Sequence, residues 1–190
     1  MPRPPRPRTT SRTVLLTAAA GLLLAGCGGP TDESSATGPV TYDVPEAPVR
    51  VTAPEGWDRL ARDGAFVLRA PSDAGSSEFR ANVVVTGEPS EGPLPTTGAA
   101  TTAALEQIPG WIPSPGEQGT TTLADLPAYR VAGSYETADA LVAQEIVAVA
   151  AGTEAEPWTV VLTASYAADD AESATAVRAV LESVQIAPAG

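Results

Sequence analysis

Histidine and lysine are absent from the sequence, and cysteine occurs once, at Cys27. Those gaps remove whole classes of chemistry. A Ser-His-Asp triad needs the imidazole as its base. A Ser-Lys dyad or a Schiff base needs the amine. Zinc, copper and haem sites lose their usual His and Cys ligands. Carboxylates remain, 23 of them. A glycosidase would place two about 5–10 Å apart across a sugar cleft. Glu136, Asp139, Glu145 and the Asp169-Asp170-Glu172 cluster are the candidates. The last cluster precedes an apolar segment of helical period and reads as a helix cap. Glu136 and Asp139 flank a turn and read as a solvated hairpin end. Glu145 lies in a strand pattern whose alternation favours the outer face, with an inward site as the alternative. The spaced acids of an EF-hand and the Gly-rich phosphate loop are both missing. The expectation is therefore no catalytic residue, no metal site and no cofactor.

Cys27 has a different chemistry. Residues 1–12 are basic and proline-rich, and Val14 to Ala25 reads VLLTAAAGLLLA, without a charge. Twelve helical residues span about 18 Å, short of the ~30 Å bilayer core. That layout is a signal peptide. It ends in Leu24-Ala25-Gly26-Cys27, which resembles the bacterial lipobox. There the thiol takes a diacylglyceryl group as a thioether, and small residues let a peptidase reach the bond before it. Two acyl chains make a stable anchor, at about 0.8 kcal/mol per buried CH₂. Cys27 is the expected lipid-attachment residue, palmitate or a similar acyl chain its cargo. Residues 1–26 are the signal peptide. With one cysteine, no disulfide forms within the chain.

A chain beginning at Cys27 carries 23 acidic against 7 basic side chains, a formal charge of −16. Nucleic acid is an improbable partner for it, because phosphate binding needs clustered Arg or Lys. Solubility in a crowded envelope is the simplest reading of the charge.

Residues 27–46 are rich in Gly, Pro, Ser, Thr and acid, and read as a flexible tether. Residues 47–188 read as one domain. Strands are expected over 49–52, 65–70, 79–86, 120–124, 129–136, 141–150 and 158–166, with a last short one at 184–186. Helices are expected over 101–108 and 169–183. The stretches 87–97 and 112–119 read as loops. Mostly consecutive strands with two helices imply an α+β domain, an antiparallel β-sheet with flanking helices. Trp57, Trp111 and Trp158 sit beside core-like elements and should be buried beneath the helices. A shared ligand pocket is the alternative. Asn82, the only asparagine, should be a buried amide bonded to a neighbouring loop's backbone.

Several local patterns occur in one order. They are Pro54-Glu55-Gly56-Trp57, the strand Phe79 to Val85, and Ile108-Pro109-Gly110-Trp111. Leu123-x-x-Leu126-Pro127-Ala128 follows, with Val131, Gly133 and Tyr135, then Trp158 to Tyr166 and the acid-capped helix. Together with the lipobox this order resembles the LpqN/LpqT-type actinobacterial lipoprotein family, over residues 48–187. The resemblance implies a PsbP-like fold and a cell-envelope lipoprotein without an established enzymatic role. Where members often have Gly before the Pro of the middle motif, this chain has Leu126. The functional expectation is a non-catalytic binding or scaffolding module, lipid-anchored at the outer face of the cytoplasmic membrane. Its partner would be an envelope protein, a glycan or a lipid. A carboxylate-based glycan hydrolase and a carrier of lipid or small hydrophobes are the alternatives.

Overall fold

The computed structural model of the chain describes residues 38–187, apart from 63 and 73–78. The signal peptide, Cys27 and most of the tether lie outside the described residues. Within them the order is β1 (Val40–Asp43), β2 (Val49–Ala53), β3 (Asp58–Arg62), β4 (Ala65–Arg69), β5 (Asn82–Pro89), α1 (Leu94–Leu105), β6 (Ile112–Leu123), β7 (Leu126–Glu136), β8 (Leu141–Gly152), β9 (Pro157–Ala167), α2 (Ala171–Glu182) and β10 (Gln185–Ile186). Seven strands form an antiparallel sheet in the order β3-β4-β5-β9-β8-β7-β6, and β1-β2-β10 form a smaller one. This is the α+β architecture that the sequence predicts.

Period-two alternation explains the main core. Val83 and Val85, Val147 and Val149, and Val160 and Leu162 are paired across β5, β9 and β8 and share one face. On that face they meet Val49 and Val51 of β2 and Val177, Val180 and Leu181 of α2. Each such side chain contributes about 1.5–3 kcal/mol when fully buried. Asp170 starts α2, its carboxylate accepting from Ser173 N at 2.9 Å. The opposite face carries a smaller cluster, Leu105, Val131 and Ile146, with Trp111 and Tyr129 against it. Helix α1 covers that cluster, packing on β7, β8 and β6. The outer part of the sheet at β3 and β4 has neither helix packed on it to the same extent.

Four elements differ from the sequence reading. Val40–Asp43, assigned to the tether, pairs with β2 along its whole length, and Tyr42 packs on Phe66. Asp58–Arg62 is a strand although Leu60 is its only large apolar residue, because β4 supplies the pairing. Helix α1 starts at Leu94, inside the expected loop, with a proline in its first turn, where no hydrogen bond is lost. Ile112–Leu123 is one strand rather than a loop and a strand. Its pairing with β7 shifts between Pro113 and Gln118, so the prolines fall at an irregularity of an edge strand.

The β6–β7 connection offers a direct test. Leu123 faces Leu126, and the two residues between them, Ala124 (φ 48) and Asp125 (φ 66), both have left-handed backbone. Two-residue hairpins of this kind favour Asn-Gly. Replacing Ala124 by Asn and Asp125 by Gly should stabilise the fold by about 1–2 kcal/mol. A higher midpoint in chemical unfolding checks it.

Candidate functional site

The structure disperses the carboxylate candidates. Glu136 and Asp139 are exposed at the β7–β8 turn, as the sequence predicts. Asp170 is the cap described above, while Asp169 and Glu172 are exposed beside it. Glu145 departs from the expectation. It faces the main-core side, between Ala132 and Ala164 on the neighbouring strands, and is 7% exposed. The register decides this, since Glu145 shares its face with Val147 and Val149, two and four residues on. Its carboxylate is 2.7 Å from Arg130 Nη2, and Glu117 lies on the same nitrogen at 3.9 Å. Burial works against the Arg130 charge, but the hydrogen bond and the charge of Glu145 outweigh it and raise its pKa. Burial also raises the Tyr166 phenol, and the charge of Glu145 adds to the shift. Burial alone raises Tyr135. Glu145 is thus paired with a guanidinium that Glu117 also approaches, an arrangement that ties β7 to β8.

The tryptophans do not converge. Trp57 and Trp158 pack on the main core. Trp111 lies on the other side of the sheet with the smaller cluster, over Gly133 and 6.4 Å from the Tyr135 ring. All three are half-buried. Asn82 is half-buried too, and its amide donates to the nearby Arg80 carbonyl at 3.2 Å rather than to a distant loop. Among the described residues, no His, Cys, Asp or Glu gather in threes to hold a metal ion.

The cations are unevenly distributed. Of the seven arginines after Cys27, four fall between residues 59 and 80. Strand pairing brings β3, β4 and the start of β5 together, with Arg59 on the face of Leu68 and Phe66, Arg62 and Arg69 on the opposite face, and Arg80 just before β5. Arg80 donates to Asp58 Oδ2 at 2.9 Å and to the Ala70 carbonyl. Among the described residues, Arg59, Arg62 and Arg69 have no carboxylate within ion-pair distance. Arg69 Nε is buried without a hydrogen-bond partner. Burial lowers the Arg69 pKa, with repulsion from Arg80 and Arg62 adding to it and Asp58 opposing. The Arg59 guanidinium lies 5.6 Å from the Tyr42 ring centre and 5.5 Å from that of Phe66. Such contacts are worth about 0.5–1 kcal/mol each at partly exposed sites.

Beside these arginines, between the β3–β4 hairpin and the β1–β2 connection, is an open cleft of about 250 Å³. Glu46, Arg59, Leu60 and Arg62 border it, while Phe66 and Val85 beneath it are buried, at 3% and 0% exposure. Glu46 stands at φ 60, which is uncommon for a non-glycine residue. The signal that would have found this site is the density of arginine over 59–80 in an otherwise acidic chain.

Solved structures of other proteins share the fold. LpqN of Mycobacterium tuberculosis, involved in cell envelope biogenesis, superimposes with a TM-score of 0.55 at 19% identity, over 85% of this chain and 87% of that one. The fold is LpqN-like. A Bacteroides thetaiotaomicron protein matches with a TM-score of 0.54 at 9% identity, over 78% of this chain and 48% of its own. Protein PA94 of Pseudomonas aeruginosa, of unknown function, matches with 0.53 at 14% identity, over 80% of this chain and all of its own. No family model and no curated protein matches the sequence. At these identities the likeness is one of fold. Within the LpqN-like fold of this chain, the arginine cleft sits at the β3 edge of the large sheet, away from both helices' main contacts. No helix among the described residues is long and apolar enough to cross a membrane.

Proposed function

We infer that this chain is a non-catalytic binding module of the cell envelope, held at the outer face of the cytoplasmic membrane by lipid on Cys27. The observation that carries the reading is Leu24-Ala25-Gly26-Cys27 at the end of a short uncharged segment behind four arginines. A thiol placed there has lipidation as its specific chemistry. Two further observations support it. The fold is shared with LpqN, a protein of envelope biogenesis. The buried carboxylates have structural partners: Glu145 is paired with Arg130, and Asp170 caps α2. On this reading its partner is an envelope protein, a glycan or a lipid.

Lipidation is tested in a bacterium that processes lipoproteins, by labelling with radioactive or alkyne palmitate. The parent chain is expected to take up label and fractionate with membranes. Cys27→Ala is expected to lose the label entirely and to accumulate as precursor or shed protein. A Cys27→Ala chain that stays processed and membrane-bound would overturn the anchor.

A further inference from the structure

We propose that the α1 side of the large sheet, where β4, β5 and β9 lie beyond the helix, binds a short oligosaccharide bearing a carboxylate, the carboxylate on Arg69 and hydroxyls on Asn82 and Gln144. The proposal deepens the binding-module reading, rests on it, and selects the glycan among its partners. Register, polarity and unused charge carry it together.

Arg69 on β4 lies across from Asn82 on β5, Asn82 from Ser165 on β9, and Ser165 from Gln144 on β8. The four side chains form one row across the strands, on the face away from the main core. Helix α2 packs on that core, and α1 lies mainly over β6, β7 and β8. Neighbouring strands are about 4.8 Å apart, so the row runs about 14 Å, the scale of a short chain of sugar rings. Arg69, Asn82 and Gln144 are half-buried in it, while Ser165 is buried and acts as a support. Gln144 Nε2 donates to Ser165 Oγ at 3.1 Å, and Asn82 Nδ2 to the Arg80 carbonyl at 3.2 Å. Each bond fixes the plane of an amide and leaves its carbonyl oxygen to accept from a hydroxyl. Leu60 and Val84, half-buried in the next row of the same face, offer apolar contact to the C–H side of a sugar ring. The charge stands at the β4 end of the row. Asp58 is directly across from Arg69, yet it bonds Arg80 at 2.9 Å. Arg69 has no carboxylate within ion-pair distance among the described residues. Its Nε is buried without a partner, while its Nη nitrogens reach solvent. A guanidinium in that state fits a carboxylate in bidentate fashion. Arg62, exposed on the same face, adds positive potential that favours an anionic sugar over a neutral one.

Tri-galacturonic acid is the probe, titrated into the full chain in detergent and followed by nuclear magnetic resonance of side-chain N–H groups. Saturable shifts are expected at Arg69 Nε, Asn82 Nδ2 and Gln144 Nε2. Arg69→Gln should weaken binding by about tenfold, the loss of one charge-assisted contact. Gln144→Ala should weaken it by about threefold, the loss of one neutral contact. Arg178→Gln, which removes an exposed arginine from α2, should leave binding within about twofold. Maltotriose, which lacks the carboxylate, and acetate, which lacks the sugar, should both bind more weakly. No saturable shift, a match to the probe's affinity by maltotriose or acetate, or equal loss in Arg69→Gln and Arg178→Gln would each overturn the proposal. If Arg69→Gln folds poorly, Gln144→Ala against Arg178→Gln decides in its place. Cleavage of the trisaccharide that Gln144→Ala abolishes would sustain the site and overturn the non-catalytic reading instead. Membrane fractionation plays no part in this readout, so a failed anchor and a failed sugar site remain distinguishable.

Discussion

Arg130→Ala should destabilise the fold by about 3 kcal/mol, and adding Glu145→Gln to the same chain should recover most of that loss. The reasoning begins with register. Glu145 lies opposite Ala132 on β7 and Ala164 on β9, two side chains too short to shield or bind a carboxylate. Its charge is met by Arg130 at 2.7 Å. Removing one partner of a buried pair leaves an uncompensated charge, at a cost of about 3–5 kcal/mol. The lower end applies, because the side chains retain 29% exposure at Arg130 and 10% at Glu145, so water reaches the pair. Glutamine keeps the shape of Glu145 without its charge, so the double variant avoids the penalty. The four corners of a double-mutant cycle, unfolded by urea, measure the coupling. If Arg130→Ala stays within about 1 kcal/mol of the parent, the carboxylate is adequately solvated and the pair is a surface contact.

Gly98→Ala tests helix α1, and here local propensity and packing disagree in sign. Glycine inside a helix costs about 1 kcal/mol relative to alanine, so propensity alone has the substitution stabilise. Gly98 is buried, however, and a Cβ on it would overlap the ring of Tyr129 on β7. Forcing a methyl into a filled space costs about 1–3 kcal/mol. We expect a net loss of about 1–2 kcal/mol after the propensity gain is subtracted. Thermal unfolding of Gly98→Ala shows the direction at once. Tyr129→Leu, which removes the ring, should turn the same substitution neutral or favourable. A stabilised Gly98→Ala chain with Tyr129 intact would mean that α1 rides further from the sheet.

These two sites also show what the sequence can and cannot disclose. Strands β8 and β9 are legible because Val142 to Ala151 and Trp158 to Ala167 are long apolar runs, and α2 because an acidic cap precedes a periodic apolar face. Helix α1 was half-missed for the reason that makes Gly98 informative. Its segment LPTTGAATTAAL has no apolar stripe to read. It docks through a missing side chain, which sequence periodicity registers as a gap. Strand β3 and the first half of β6 were missed as edge strands, where one neighbour supplies the hydrogen bonds and few apolar side chains are needed. Glu145 faces inward against the usual rule that an acid in a strand faces water, and the sequence does not disclose its partner, Arg130, which is fifteen residues away on another strand. The arginine cleft was invisible for a related reason. Arg59 finds Tyr42 and Phe66, and Arg62 comes near Arg69 on the other face, only once β1 and the β3–β4 hairpin are folded.

The irregular β6 strand has a consequence for molecules living side by side. Any chain fixed to a surface by one end meets its neighbours at high local density and in similar orientation, conditions under which open sheets template one another. Pro113 and Pro115 have no amide hydrogen to offer, and the ladder slips between Pro113 and Gln118, with Gly116 and Gly119 in left-handed backbone. A second copy approaching this rim finds no continuous row of donors and acceptors to extend. The cost in pairing with β7 leaves a rim that templates a second copy poorly over residues 112–118.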